Sequence, residues 1–122
     1  MRTRTHTART LLAVLLLGSA AGHAGDPRPL SGVEITKRLT GNTVIGEWNG
    51  RAYAQFFNKS GTTLYQQKGA PESRGRWRVS DGKYCSRWGR GSWSCYGVLE
   101  GDDGGITWVE PSSGKTHPAR VV

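Results

Sequence analysis

The sequence predicts a mainly all-β protein: a small antiparallel β-meander, an open or closed barrel of about seven or eight strands, preceded by one short N-terminal helix. Three observations carry that reading. From Thr43 onward, short runs of β-branched and aromatic residues are divided by glycine every several positions, as happens when successive strands are joined by tight turns. Asn49-Gly50 and Asp81-Gly82 fall between such runs, and these residue pairs accept the positive φ that both central positions of a type I′ hairpin turn require. Residues 76–98 (RWRVSDGKYCSRWGRGSWSCYGV), paired as strands, sort onto one aromatic face and one face carrying arginines around two cysteines.

Ahead of the β-region lies a segment with a different purpose. Residues 1–9 carry Arg2, Arg4 and Arg9 and no acid, residues 11–17 are apolar, and small residues follow, the three-part layout of a secretory signal peptide. Gly22 and Ala24 suit the small-residue positions before a cleavage bond after Ala24, with Ser19 and Ala21 as an alternative pair. The apolar run is too short to span a hydrocarbon core of ~30 Å as a helix, and no cysteine stands nearby to take a lipid. The expected division is a signal peptide over residues 1–24 and a single exported β-domain over 25–122, its core at about 30–110. Removing the leader takes three arginines and no acid from a formal charge of +8, leaving +5. The expected location is periplasmic or extracellular, with no transmembrane helix in the mature form.

The first element of the mature chain is a helix over residues 32–39. Ser31 and Glu34 have capping-box spacing, and Leu30 and Ile35 stand where a hydrophobic staple would. Lys37 and Arg38 in the last turn suit the negative end of the helix dipole, and Gly41 follows as a stop. Strands are then expected over residues 43–48 and 51–57. Further turns fall at residues 58–61, 81–82, 89–91, 102–105 and 112–114, and residues 68–74 form the one longer loop. GEWNGRAY and GRWRVSDGKY look like a weak internal repeat, which hairpin chemistry alone explains.

The registers of the central hairpins follow from their turns. A two-residue turn at Asp81-Gly82 opposes Ser80 to Lys83, Val79 to Tyr84, Arg78 to Cys85, Trp77 to Ser86 and Arg76 to Arg87. An oxidising compartment lets Cys85 and Cys95, the only cysteines, pair. On neighbouring strands a disulfide requires near-direct opposition, which leaves a three-residue loop at Gly89-Arg90-Gly91 and sets Trp93 opposite Arg87. The spacing of the cysteines is not that of a redox motif, and the further ligands of a closed zinc site are missing. The expected core is Trp48, Trp77, Val79, Tyr84, Trp88, Tyr96 and Val98.

The opposite face presents Arg76 and Arg87 to each other, an arrangement that costs stability unless an anion sits between them. Arg74, Arg78 and Arg90 extend the patch, and Trp93 beside Arg87 is placed to stack on it. The alternative is a solvated sheet face with arginines splayed apart over their apolar stems. The catalytic inventory is thin. His117 is the only histidine past the leader and lies in what reads as a loose C-terminal segment. No serine sits in a nucleophile elbow, Asp102 and Asp103 read as a solvated turn rather than a calcium loop, and the glutamates are scattered.

GNTVIGEWNGRAYAQFFNKSGT, GRWRVSDGKYCSRW and CYGV resemble a family of small uncharacterised bacterial exported proteins, with a calycin-like or lipocalin-like β-meander behind a short capped helix. The resemblance covers residues 30–109. It implies the fold and export, carries over no catalytic residue, and makes Gly46, Trp48, Gly75, Trp77, Cys85 and Cys95 structural positions. The chain is short beside true lipocalins, which argues against a roomy cavity. The leading expectation is a non-enzymatic envelope or secreted binding module, without cofactor or metal, whose arginine face meets an anionic envelope polymer, a lipid headgroup or an acidic protein. Nucleic acid is not the expected partner. The second expectation is a small β-barrel carrier of an apolar or aromatic ligand held between the tryptophan-rich face and the helix.

Overall fold

A computed structural model describes residues 27–122. The expected leader at 1–24 lies outside the described residues. Helix α1 occupies Gly32–Leu39. Its capping box is complete: Ser31 Oγ accepts from the Glu34 backbone N–H at 3.2 Å, and Glu34 Oε1 accepts from the Ser31 N–H at 2.9 Å. Those bonds satisfy two of the donors that the first helical turn leaves without partners.

Eight antiparallel strands follow: β1 (Thr43–Trp48), β2 (Arg51–Phe57), β3 (Thr62–Gln67), β4 (Ser73–Ser80), β5 (Lys83–Trp88), β6 (Ser94–Glu100), β7 (Ile106–Val109) and β8 (Thr116–Val121). They form a closed barrel in sequence order, with β8 returning to β1 through Val44↔Val121, Ile45↔Arg120 and Gly46↔Ala119. Closure removes the free strand edges that a meander otherwise leaves open to association. Asn49 and Gly50 take φ of 51° and 81°, and Asp81 and Gly82 take 52° and 71°, the left-handed pairs that the two tight hairpins need.

Side chains alternate between the interior and the outside along every strand. Around α1, the inward residues make a dry core: Ile35 and Leu39 of the helix are fully buried among Val44, Phe57, Trp77, Val98 and Ile106. The helix thus plugs one end of the barrel, the end where β1 starts and β2 finishes. Arg28 and Arg38 converge on Glu100 at 3.1 and 2.8 Å, and Arg28 also reaches Glu34 at 3.1 Å. Leu30 N–H donates to Val98 O at 2.9 Å. These contacts fasten the helix and its lead-in to β6.

Cys85 and Cys95 are directly opposed and joined by a disulfide. The β4–β5 register is the expected one at every pair from Arg76↔Arg87 to Ser80↔Lys83. Three local expectations need correction. The loop expected over residues 68–74 is shorter, because β4 already begins at Ser73. Pairing of β5 with β6 stops at Ser86↔Ser94, so the connecting loop spans residues 89–93 and Trp93 does not oppose Arg87. Residues 116–121 are not a loose tail. They form β8, which a proline at 118 disguises in the sequence, because proline donates no ladder bond and reads as a strand breaker.

Candidate functional site

At the end away from α1 the barrel interior is open, forming a cavity of about 330 Å³. Its wall is built from the inward positions nearest that end. Trp48 closes β1, Tyr53 and Gln55 come from β2, Tyr65 from β3, Tyr84 and Trp88 from β5, Tyr96 from β6 and Trp108 from β7. Ser73 and Ser86 complete the wall with small hydroxyls. Phe57, fully buried, backs the lining: its ring meets Tyr84 at 5.6 Å and Trp108 at 6.3 Å on the cavity side, and Trp77 at 5.3 Å toward the plugged end.

The rings are packed against one another, which fixes the shape of the space. Tyr53 stacks on Tyr65 at 5.3 Å, Tyr65 meets Trp88 edge-on at 5.9 Å, and Tyr84 stacks on Tyr96 at 6.0 Å, all within the range of favourable aromatic pairs. Glycine makes the room. A Cβ at position 75 would stand 2.5 Å from Trp88 Cε3 and 2.7 Å from the Arg87 carbonyl oxygen, so the indole of Trp88 lies directly across the backbone of β4.

Polar atoms inside the barrel are used in an ordered way. Trp108 Nε1 donates to the Tyr53 hydroxyl at 2.8 Å. Gln55 Nε2 donates to Thr63 Oγ1 at 2.9 Å and to the Tyr84 hydroxyl at 3.0 Å. Gln55 Oε1 accepts no protein hydrogen bond among the described residues, yet no buried side-chain polar atom is left without a partner; that oxygen therefore borders the open space. Burial pushes the Tyr53 and Tyr84 phenols up to about 12, and raises Tyr65 and Tyr96 as well. All four remain neutral phenols near neutral pH.

His117 was expected on a loose surface segment and is instead buried, pointing inward from β8. Its Nε2 lies 2.5 Å from Glu110 Oε2, and its ring stacks on Trp48 at 3.9 Å. The hydrogen bond to His117 holds the Glu110 carboxyl below the usual carboxylate range. This pair braces the back of Trp48, whose ring is part of the cavity wall.

Of the residues expected in the core, Trp77, Tyr84 and Val98 are buried, and Trp48, Val79 and Tyr96 are half-buried against them. Trp88 is a correction: it is half-buried on the cavity wall, since the barrel is open where it stands. On the outer face Arg74, Arg76, Arg78, Arg87 and Arg90 are all exposed. Trp93 stacks under Arg78, not Arg87, with the guanidinium carbon 3.9 Å above the ring. Sequence reasoning missed Tyr53, Gln55, Tyr65 and Trp108 as site residues. The alternation Tyr53-Gln55-Phe57 within a single strand was the available signal, but only pairing around the whole barrel says that these positions share a space with β5 and β7.

The chain matches no family model, no curated protein sequence and no solved structure.

Proposed function

We propose that this protein is a non-enzymatic binding barrel that holds a small, flat, uncharged aromatic ligand in the cavity opposite α1. One observation carries the reading: the wall is mainly aromatic and includes no Asp, Glu, Lys, Arg or His. A charged ligand entering such a space would lose its hydration without an ionic partner in return. A neutral ring system would exchange water for stacking against Trp48, Trp88 and the tyrosines. The volume stands at the small end of ligand pockets, with room for roughly one or two fused rings. Gln55 Oε1 supplies an acceptor deep in the wall, so the preferred ligand carries an N–H or O–H donor on its leading edge.

The chemistry of the wall favours carriage over conversion. Its phenols are held in the neutral form above neutral pH by burial, and the Gln55 amide and Trp108 indole donors are committed to neighbours. The compartment belongs to the same proposal: a disulfide in so small a domain fits a periplasmic or extracellular carrier, in keeping with the resemblance to small exported bacterial proteins.

Tryptophan fluorescence titration with a panel of neutral planar aromatics, their carboxylated analogues and a fatty acid tests the reading. Saturable binding is expected for neutral rings bearing a donor, with weaker binding of the charged analogues. Gln55→Leu is expected to lose affinity for the donor-bearing members only. Ser86→Phe, which fills the cavity, is expected to abolish binding while its melt stays cooperative. Absence of saturable binding across the neutral panel, or equal binding by Ser86→Phe, would discard the proposal.

A further inference from the structure

We infer that the outer face of β4 and β5 is a docking strip for a linear anionic polysaccharide bearing carboxylate or sulfate groups. Arg74, Arg76 and Arg78 occupy alternate positions of β4, all exposed, so their side chains leave the same face of the sheet at intervals of roughly 6–7 Å. Arg87 of β5 stands directly opposite Arg76, and Arg90 follows in the next loop. Among the described residues none of these five makes an ion pair, whereas Arg28 and Arg38 are both tied to carboxylates. No carboxylate of the described residues thus stands between Arg76 and Arg87, and an anion laid across the two positions would be shared by both.

Two of the guanidinium groups are already held in place. Arg78 lies on the Trp93 ring at 3.9 Å. Arg76 donates to Ser60 O and Thr62 Oγ1, each at 3.4 Å. Holding a long side chain before the partner arrives lowers the ordering cost of binding. Arg78 also opposes Cys85, which opposes Cys95, so the disulfide fixes the sheet beneath the strip. Guanidinium forks match carboxylate and sulfate oxygens two at a time, and a row of them along one strand suits charges repeated along a chain.

The same face argues against the other polyanions. The large apolar residues most exposed among those described are Val33 and Val122, neither of them on β4 or β5, so nothing beside the arginines enters a bilayer. Single-stranded nucleic acid is held by several aromatic platforms. Here there is one half-buried indole, with a face already taken by Arg78. The disulfide, finally, is the chemistry of an oxidising compartment, where surface polysaccharides are met.

The test compares wild type, Arg76→Gln/Arg87→Gln and Arg51→Gln/Arg120→Gln, the last pair removing the same charge from exposed positions on β2 and β8. Retention is measured across a sodium chloride series on immobilised heparin, alginate and single-stranded DNA, and by co-sedimentation with phosphatidylglycerol vesicles. The expected result is retention on heparin and alginate that falls roughly two- to fivefold per arginine lost from the strip, the range of exposed ion pairs, and little in the control. Melting temperatures are expected to stay level or rise slightly in Arg76→Gln/Arg87→Gln as repulsion is relieved. Equal losses in both double variants would overturn the inference, because net charge alone would then explain binding. Stronger retention on DNA or vesicles than on either polysaccharide would overturn it in their favour, and no retention at low salt would overturn it outright. No cavity ligand is present in these assays, so the strip and the cavity stand or fall separately.

Discussion

Trp77 and Trp93 are sixteen positions apart on the same run of sequence, and they sit on opposite sides of the barrel wall. Trp77 faces inward at 7% exposure, with its Nε1 donating to Asn58 O at 2.8 Å. Trp77→Ala is therefore expected to cost on the order of ~3–5 kcal/mol through cavity formation, enough to threaten folding of so small a domain. Trp93→Ala loses one exposed cation–π contact and should cost about 1 kcal/mol or less. Denaturant melts of the two variants check the order, and the reverse order would mean that the faces are exchanged. Gly75→Ala belongs to the same scale. Its added methyl meets both the Trp88 ring and the Arg87 carbonyl below 3.0 Å, so the expected outcome is a loss of about 1–3 kcal/mol by overpacking. A changed near-ultraviolet signal from the displaced indole should accompany that loss.

At the scale of elements, α1 was legible because its caps are local: Ser31 and Glu34 are three residues apart, and both bonds form within one turn. What the helix does was not legible. Its seating depends on Glu100, which meets Arg28 across 72 positions of sequence and Arg38 across 62. These pairs make an acid-sensitive lock. Arg28 and the Ser31 N–H hold the Glu34 carboxyl down to about 2, and Arg38 holds Glu100 below its usual range. A carboxyl depressed by folding contributes stability above its unfolded pKa and loses it as pH falls through the folded value. Melting temperature is expected to decline from about pH 4.5 toward 2, and Glu34→Gln should show a shallower decline. A melt series between pH 7 and 2 reads this directly, and identical slopes in both proteins would refute it. Ser31→Ala, which removes only the cap, should cost ~0.5–2 kcal/mol at neutral pH.

The whole molecule is a closed barrel with a plug at one end and an aromatic cavity at the other, and the disulfide links β5 to β6 where only three residue pairs are formed. The folded protein is expected to hold no free thiol, since Cys85 and Cys95 are both committed. Reduction should lower stability by ~2–4 kcal/mol, the usual effect of opening a short covalent loop. Intact mass before and after alkylation, with and without prior reduction, checks the first point, and paired melts check the second. Labelling of two thiols without reduction would undo both the bridge and the register built on it.

The sequence by itself determined the class, the helix, the tight turns and the β4–β5 register, because each rests on residues close together along the chain. Capping pairs, positive-φ turns and strand alternation are short-range physics. Only the tertiary structure decided the rest. Closure turned His117 from a supposed tail into an inward brace behind Trp48, and the early end of the β5–β6 ladder left Trp93 beside Arg78 instead of Arg87. The cavity is the clearest case: its lining comes from seven strands, and no stretch of chain shorter than the whole barrel brings Trp48, Tyr65, Tyr96 and Trp108 around one space. A closed sheet assigns inside and outside locally, but it makes neighbours of distant residues only when the last strand meets the first.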